Sequence, residues 1–86
     1  MDDNNPYINI GPGDIIKDEL EARDWTQQDL ADITGLPVQM VNMVIEDEYP
    51  ITSNIAILLA KAFETSTELW VNLYNKYNKR RFYENI

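Results

Sequence analysis

The chain has 86 residues, 44% of them apolar and 26% charged, the composition of one small globular domain. It contains no cysteine and no histidine, which excludes disulfides, zinc sites built on those ligands, and Ser–His or Cys–His nucleophiles; neither an enzyme nor a cofactor nor a metal is expected. A net charge of −8, an acidic N-terminus unlike a signal peptide and no apolar run of membrane-spanning length make the expectation a cytoplasmic protein with no membrane partner.

The charge is unevenly placed. Residues 1–75 carry fourteen acids against Lys17, Arg23 and Lys61, a balance of −11, while residues 76–86 carry Lys76, Lys79, Arg80 and Arg81 against Glu84, a balance of +3. An acidic body thus ends in a short basic tail.

Residues 1–12, with Asn4, Asn5, Pro6, Gly11 and Pro12, read as an irregular arm. The first helix is expected from about Asp14 to Arg23–Asp24, with Ile16 and Leu20 inward and Lys17 and Glu21 spaced so that they can pair on the exposed side. Thr26-Gln27-Gln28-Asp29 has capping-box spacing and opens a short second helix, with Leu30, Ala31 and Ile33 buried and Gly35 as its left-handed end. A third helix runs from Val38 to Glu46. Val38, Val41, Val44 and Ile45 share one face, Gln39, Asn42, Met43 and Glu46 point the other way, and Met40 lies on the flank.

Glu46-Asp47-Glu48-Tyr49-Pro50 reads as a loop. Thr52 or Ser53 then caps a fourth helix with Ile55, Ala56, Leu59, Ala60 and Phe63 inward. Thr65-x-x-Glu68 has the spacing to open a fifth, with Leu69, Trp70, Leu73, Tyr74 and Tyr77 on its stripe. Trp25 and Trp70 are expected as core anchors. Period-2 alternation is missing, so no strand is assigned. The expected fold is all-α with five helices: an arm at 1–12, a domain at 13–81 and a basic, aromatic tail end at 82–86.

A capped short helix, a glycine turn and a second short helix form the helix-turn-helix layout, here at about 26–46. Around it, the Pro12-Gly13 opening, Trp25-Thr26-Gln27-x-x-Leu30-Ala31, Pro50-Ile51-Thr52, Ala60-Lys61-Ala62-Phe63 and Leu69-Trp70-x-Asn72-Leu73 stand in register. On these blocks the chain resembles the HigA/VapI antitoxins of the XRE (Cro-type) helix-turn-helix class, over roughly residues 12 to 80. The resemblance implies a five-helix, lambda-repressor-like DNA-binding domain that forms a homodimer. It also implies neutralisation of a RelE-like ribonuclease toxin and repression of the chain's own operon through operator DNA. By position, Thr26, Gln27 and Gln28 would sit at the DNA edge of the second helix, and Val38, Gln39, Asn42 and Met43 would face the major groove from the third.

The sequence departs from that family's pattern where DNA would lie. Pro37-Val38 replaces the usual Ser-Pro start of the recognition helix, and Glu46-Asp47-Glu48-Tyr49 replaces a basic turn. From Asp24 to Ala60 there is no Lys or Arg, against six acids, although cations supply most of the affinity for duplex DNA. Two readings follow. In one, DNA is bound with phosphate contacts from Lys76, Lys79, Arg80 and Arg81 or from the toxin. In the other, the helix-turn-helix no longer binds DNA and serves as an acidic protein-interaction module, with Met40, Met43 and Leu58 as adaptable apolar contacts. The basic tail also has a purely structural use, since cations near a helix C-terminus complement the macrodipole.

Overall fold

The structure is a computed structural model and describes residues 11–84, with side chains over 11–77. Five helices follow in order: α1 (Pro12–Arg23), α2 (Gln27–Thr34), α3 (Val38–Ile45), α4 (Ser53–Phe63) and α5 (Thr67–Glu84). Among the described residues there is no strand, and no helix is long and apolar enough to cross a membrane. Helix α4 packs on α5 and α2, while α1 packs on α3 and α5, so the short α2–α3 pair is held against both longer partners.

Helix α1 begins two residues before the expected start. Pro12 occupies its first turn, where a missing N–H costs nothing, and Asp14 at the third position accepts the Gly11 N–H at 3.3 Å. Pro12, expected at the end of the arm, is therefore buried in the first turn of α1 beside Gly13. Helix α1 ends at Asp24 in the left-handed conformation (φ 61°), which Asp tolerates better than most residues. An ion pair joins Arg23 to Glu19 one turn back.

The core consists of Ile16 and Leu20 from α1, Leu30 and Ala31 from α2, and Val41, Val44 and Ile45 from α3. Ile51, the α4 stripe (Ile55, Ala56, Leu59, Ala60, Phe63) and Trp70 of α5 complete it. Trp70 is fully buried, and its indole N–H donates to the Thr65 hydroxyl at 2.8 Å, which removes the cost of burying a polar group. Trp25 is half-buried, packed on the core and stacked on Phe63, with ring centroids 5.9 Å apart.

Three expectations about local packing are corrected. Ile33 is half exposed rather than buried, because the 100° step per residue carries it off the Leu30–Ala31 face. Leu69 is likewise exposed, at the first turn of α5 beside Trp70. The cap of α5 is Ser66, whose hydroxyl accepts the Leu69 N–H at 3.1 Å. Thr65 does not cap, because its hydroxyl is taken by the Trp70 indole and its N–H closes the end of α4 on Ala60.

Candidate nucleic-acid interface

Helix α2 is opened by a complete capping box. The Thr26 hydroxyl accepts the Asp29 N–H at 3.0 Å, and the Asp29 carboxylate accepts the Thr26 N–H at 2.9 Å. Its end is fixed by Gly35 at φ 80°, whose N–H bonds Ala31 O at 2.8 Å. A Cβ there would meet nothing within 4 Å, so the glycine is needed for its backbone angle and not for space. The Thr34 hydroxyl reinforces the turn, donating to Leu30 O at 2.8 Å and accepting the Leu36 N–H at 3.3 Å. Pro37 then starts α3 with extended backbone and no side-chain cap.

This local chemistry sets the outward face of α3. Val41, Val44 and Ile45 are buried, and on the opposite side Gln39, Asn42 and Met43 are exposed, Met43 at 40%. Gln39 and Asn42 make no side-chain hydrogen bond to any described residue, so both amides are available to a partner. The other sequence-predicted residues fall differently. Val38 and Met40 are half-buried and pack against the core, so Met40 does not form an exposed pair with Met43. Leu58 is half-buried and stands outside the core cluster on α4.

On α2, Thr26 is exposed but its hydroxyl serves the cap. Gln27 is half-buried. Gln28 is exposed, and its amide nitrogen donates to Asp32 at 3.0 Å. Lys76 is exposed on α5, whose backbone stays helical to Glu84. The side chains of Lys79, Arg80 and Arg81 lie outside the described residues, as does the arm before Gly11.

The acidic turn after α3 is not simply three carboxylates turned to solvent. Glu46 and Glu48 are exposed, but Asp47 is half-buried in the left-handed conformation (φ 60°). Its Oδ1 accepts the Gly13 N–H at 3.1 Å, across 34 residues of sequence. A carboxylate here satisfies one of the N–H groups left unpaired at the start of α1 and complements the positive end of its dipole. Gly13 is required by the same junction, since a Cβ at that position would run into the carbonyl of Ile45.

Sequence reasoning also missed the use of Arg23. Its guanidinium donates to Phe63 O at 3.0 Å, at the end of α4, and lies 5.0 Å from the Phe63 ring centroid and 5.5 Å from that of Trp25. One of the three bases of the acidic body is thus committed to joining the end of α1 to the end of α4. Helical periodicity carries no signal for either long-range link.

The helix-turn-helix family model matches residues 16–70. YbaQ, an uncharacterised HTH-type transcriptional regulator of Escherichia coli K12, is 35% identical over 63 residues, 72% of this chain and 56% of that protein; the chain therefore spans little more than half the length of this relative. The solved structure of the Pseudomonas aeruginosa antitoxin HigA with the higBA promoter superposes with a TM-score of 0.84 at 31% identity, covering 90% of this chain and 85% of that one. A HigA-family addiction module antidote protein from Coxiella burnetii gives a TM-score of 0.85 at 31% identity over the same 90%, and 85% of its own length. With the capped α2, the Gly35 turn and the exposed α3 face on a shared five-helix frame, the chain belongs to the XRE-type helix-turn-helix family and shares the fold of the HigA antitoxins.

Proposed function

We propose that this chain is the antitoxin of a HigBA-like toxin–antitoxin pair. It binds and silences a RelE-like ribonuclease toxin in the cytoplasm and, as a homodimer, represses its own operon through operator DNA. The observation that carries the DNA half is the match over 90% of the chain to a HigA that was solved with its promoter, together with an α3 face that leaves Gln39, Asn42 and Met43 exposed. In this reading α3 enters the major groove, and α2 lies across the backbone with Thr26, Gln27 and Gln28 at its edge. Lys76, Lys79, Arg80 and Arg81 supply the phosphate contacts that the acidic body lacks.

The test is fluorescence anisotropy of the purified chain on its own upstream duplex at several salt concentrations. Saturable, sequence-dependent binding with a negative salt slope is expected. Neutralising the four tail bases should make that slope shallower by roughly 0.9 for each phosphate they engage in the native chain. No binding at low salt removes the DNA half.

A second reading is favoured by one observation, the stretch from Asp24 to Ala60 without a single Lys or Arg. There the helix-turn-helix serves as an acidic surface for a basic protein partner. That partner would associate faster at low salt than at high salt, and an association rate indifferent to salt sinks this reading.

A further inference from the structure

We infer that the α3 face selects A·T base pairs, with the Gln39 and Asn42 amides each set to read an adenine and Met43 set against a thymine methyl. This rests on the proposed DNA binding and adds what that binding reads. The three positions are spaced i, i+3 and i+4, so they lie within about a 100° arc of the helix and about 6 Å apart along its axis. That distance spans about two base-pair steps of 3.4 Å, so the three side chains address adjacent base pairs. All three are exposed, and the two amides are uncommitted among the described residues.

The chemistry of the face is one-sided. An amide offers a donor and an acceptor together, which matches the N6–H and N7 edge of adenine, while an apolar side chain finds its match in the thymine C5-methyl group. Guanine presents two acceptors and is best held by the paired donors of Arg or Lys. Neither residue occurs anywhere between Asp24 and Ala60. Glu46, one turn further along the same side of α3, is exposed and carries acceptors only, so it cannot hold guanine's two acceptors; a cytosine N4–H contact from it would fall beyond the positions that face Gln39, Asn42 and Met43. A recognition helix without a cation has little with which to prefer a G·C pair at the positions facing Gln39, Asn42 and Met43. The absence of Lys and Arg that weakens phosphate affinity therefore also narrows what is read.

The experiment selects, with the full-length chain at low salt, from duplexes randomised over the length of an operator half-site. The expected result is A·T enrichment at two or three adjacent positions. Asn42→Ala and Gln39→Ala each remove the preference at one position and weaken binding to the selected duplex by roughly tenfold or more. Replacing the selected thymines with deoxyuracil, which lacks the methyl group, weakens the native chain several-fold and leaves Met43→Ala less affected. Circular dichroism of each variant checks that the exposed substitutions leave the helices intact.

Enrichment of G·C at those positions overturns the inference. So does A·T enrichment that ignores both the amide variants and deoxyuracil, which would indicate readout of groove shape. Retention of all duplexes alike keeps DNA binding and overturns this inference alone. Retention of none overturns the DNA half of the proposed function as well.

Discussion

Helix α3 carries two regions that a charge count treats as one. Its outward face, with Gln39, Asn42 and Met43, is exposed and contributes little to the packing of the domain. The turn at its C-terminal end is built into the fold, with Asp47 bonded to Gly13 at the start of α1 and the Ile45 carbonyl pressed against the same glycine. The face leaves the Gln39 and Asn42 amides unengaged among the described residues, and the turn uses its central charge to join α3 to α1. Six acids between Asp24 and Ala60 therefore overstate the repulsion met by a phosphate, because Asp47 and Asp29 are engaged at helix N-termini.

The sharpest way to break the turn is Gly13→Ala. The added Cβ meets a backbone carbonyl rather than a side chain that can swing aside, so α1 or the end of α3 must shift. Overpacking in a close-packed interior costs about 1–3 kcal/mol, and an unyielding backbone neighbour places this variant at or above the upper end. For a small domain of marginal stability that is a large fraction of the total. Urea denaturation should show a midpoint lowered accordingly, and an unchanged midpoint would mean that the junction is far looser than the structure has it.

Asp47 comes next. Asp47→Ala removes the hydrogen bond to Gly13 and the charge at the α1 N-terminus, and it also forces alanine into a left-handed backbone. Together these cost about 2–3 kcal/mol. Asp47→Asn retains an acceptor oxygen and a residue type that tolerates positive φ, so its effect should stay below about 1 kcal/mol. If both substitutions unfold at the same urea concentration as the native chain, Asp47 is only a solvated loop acid and the division of the acidic stretch collapses.

Much of this architecture was legible in the sequence because it is local. The Thr26–Asp29 box, the Gly35 turn, and the core stripes of α3 and α4 each follow from spacings of three or four residues and are present, and the α4 cap, which the sequence left between Thr52 and Ser53, falls on Thr52. The outward position of Gln39, Asn42 and Met43 was readable for the same reason. What was not legible spans the chain. Asp47 reaches Gly13 across 34 residues and Arg23 reaches Phe63 across 40, and nothing in a helical period says which charged side chain will find the end of another helix. Three successive hydroxyl residues, Thr65, Ser66 and Thr67, also hid the cap of α5, because the choice depended on where the Trp70 indole would take its partner. Ile33 differs in kind: the helical wheel already places it off the buried face, and apolar character alone is a poor guide against that geometry.

The smallest effect on stability should come from the two acids that flank Asp47. Glu46 and Glu48 are exposed, and changing both to Gln removes two charges without removing a packed group, so stability should stay within about 0.5 kcal/mol. Their effect belongs on the partner side. Two negative charges at the end of the proposed recognition helix repel phosphates within the roughly 8 Å over which charges act at physiological salt, so the double variant should bind duplex DNA a few-fold more tightly at low salt. That gain should fade as salt rises. Asp47→Asn removes a charge from the same turn, yet it should move the urea midpoint more and the DNA affinity less than Glu46→Gln with Glu48→Gln. Measuring both quantities on both variants separates the charge that holds the fold from the charge that faces the partner; if the two rank in the same order in both measurements, the turn is one acidic surface after all.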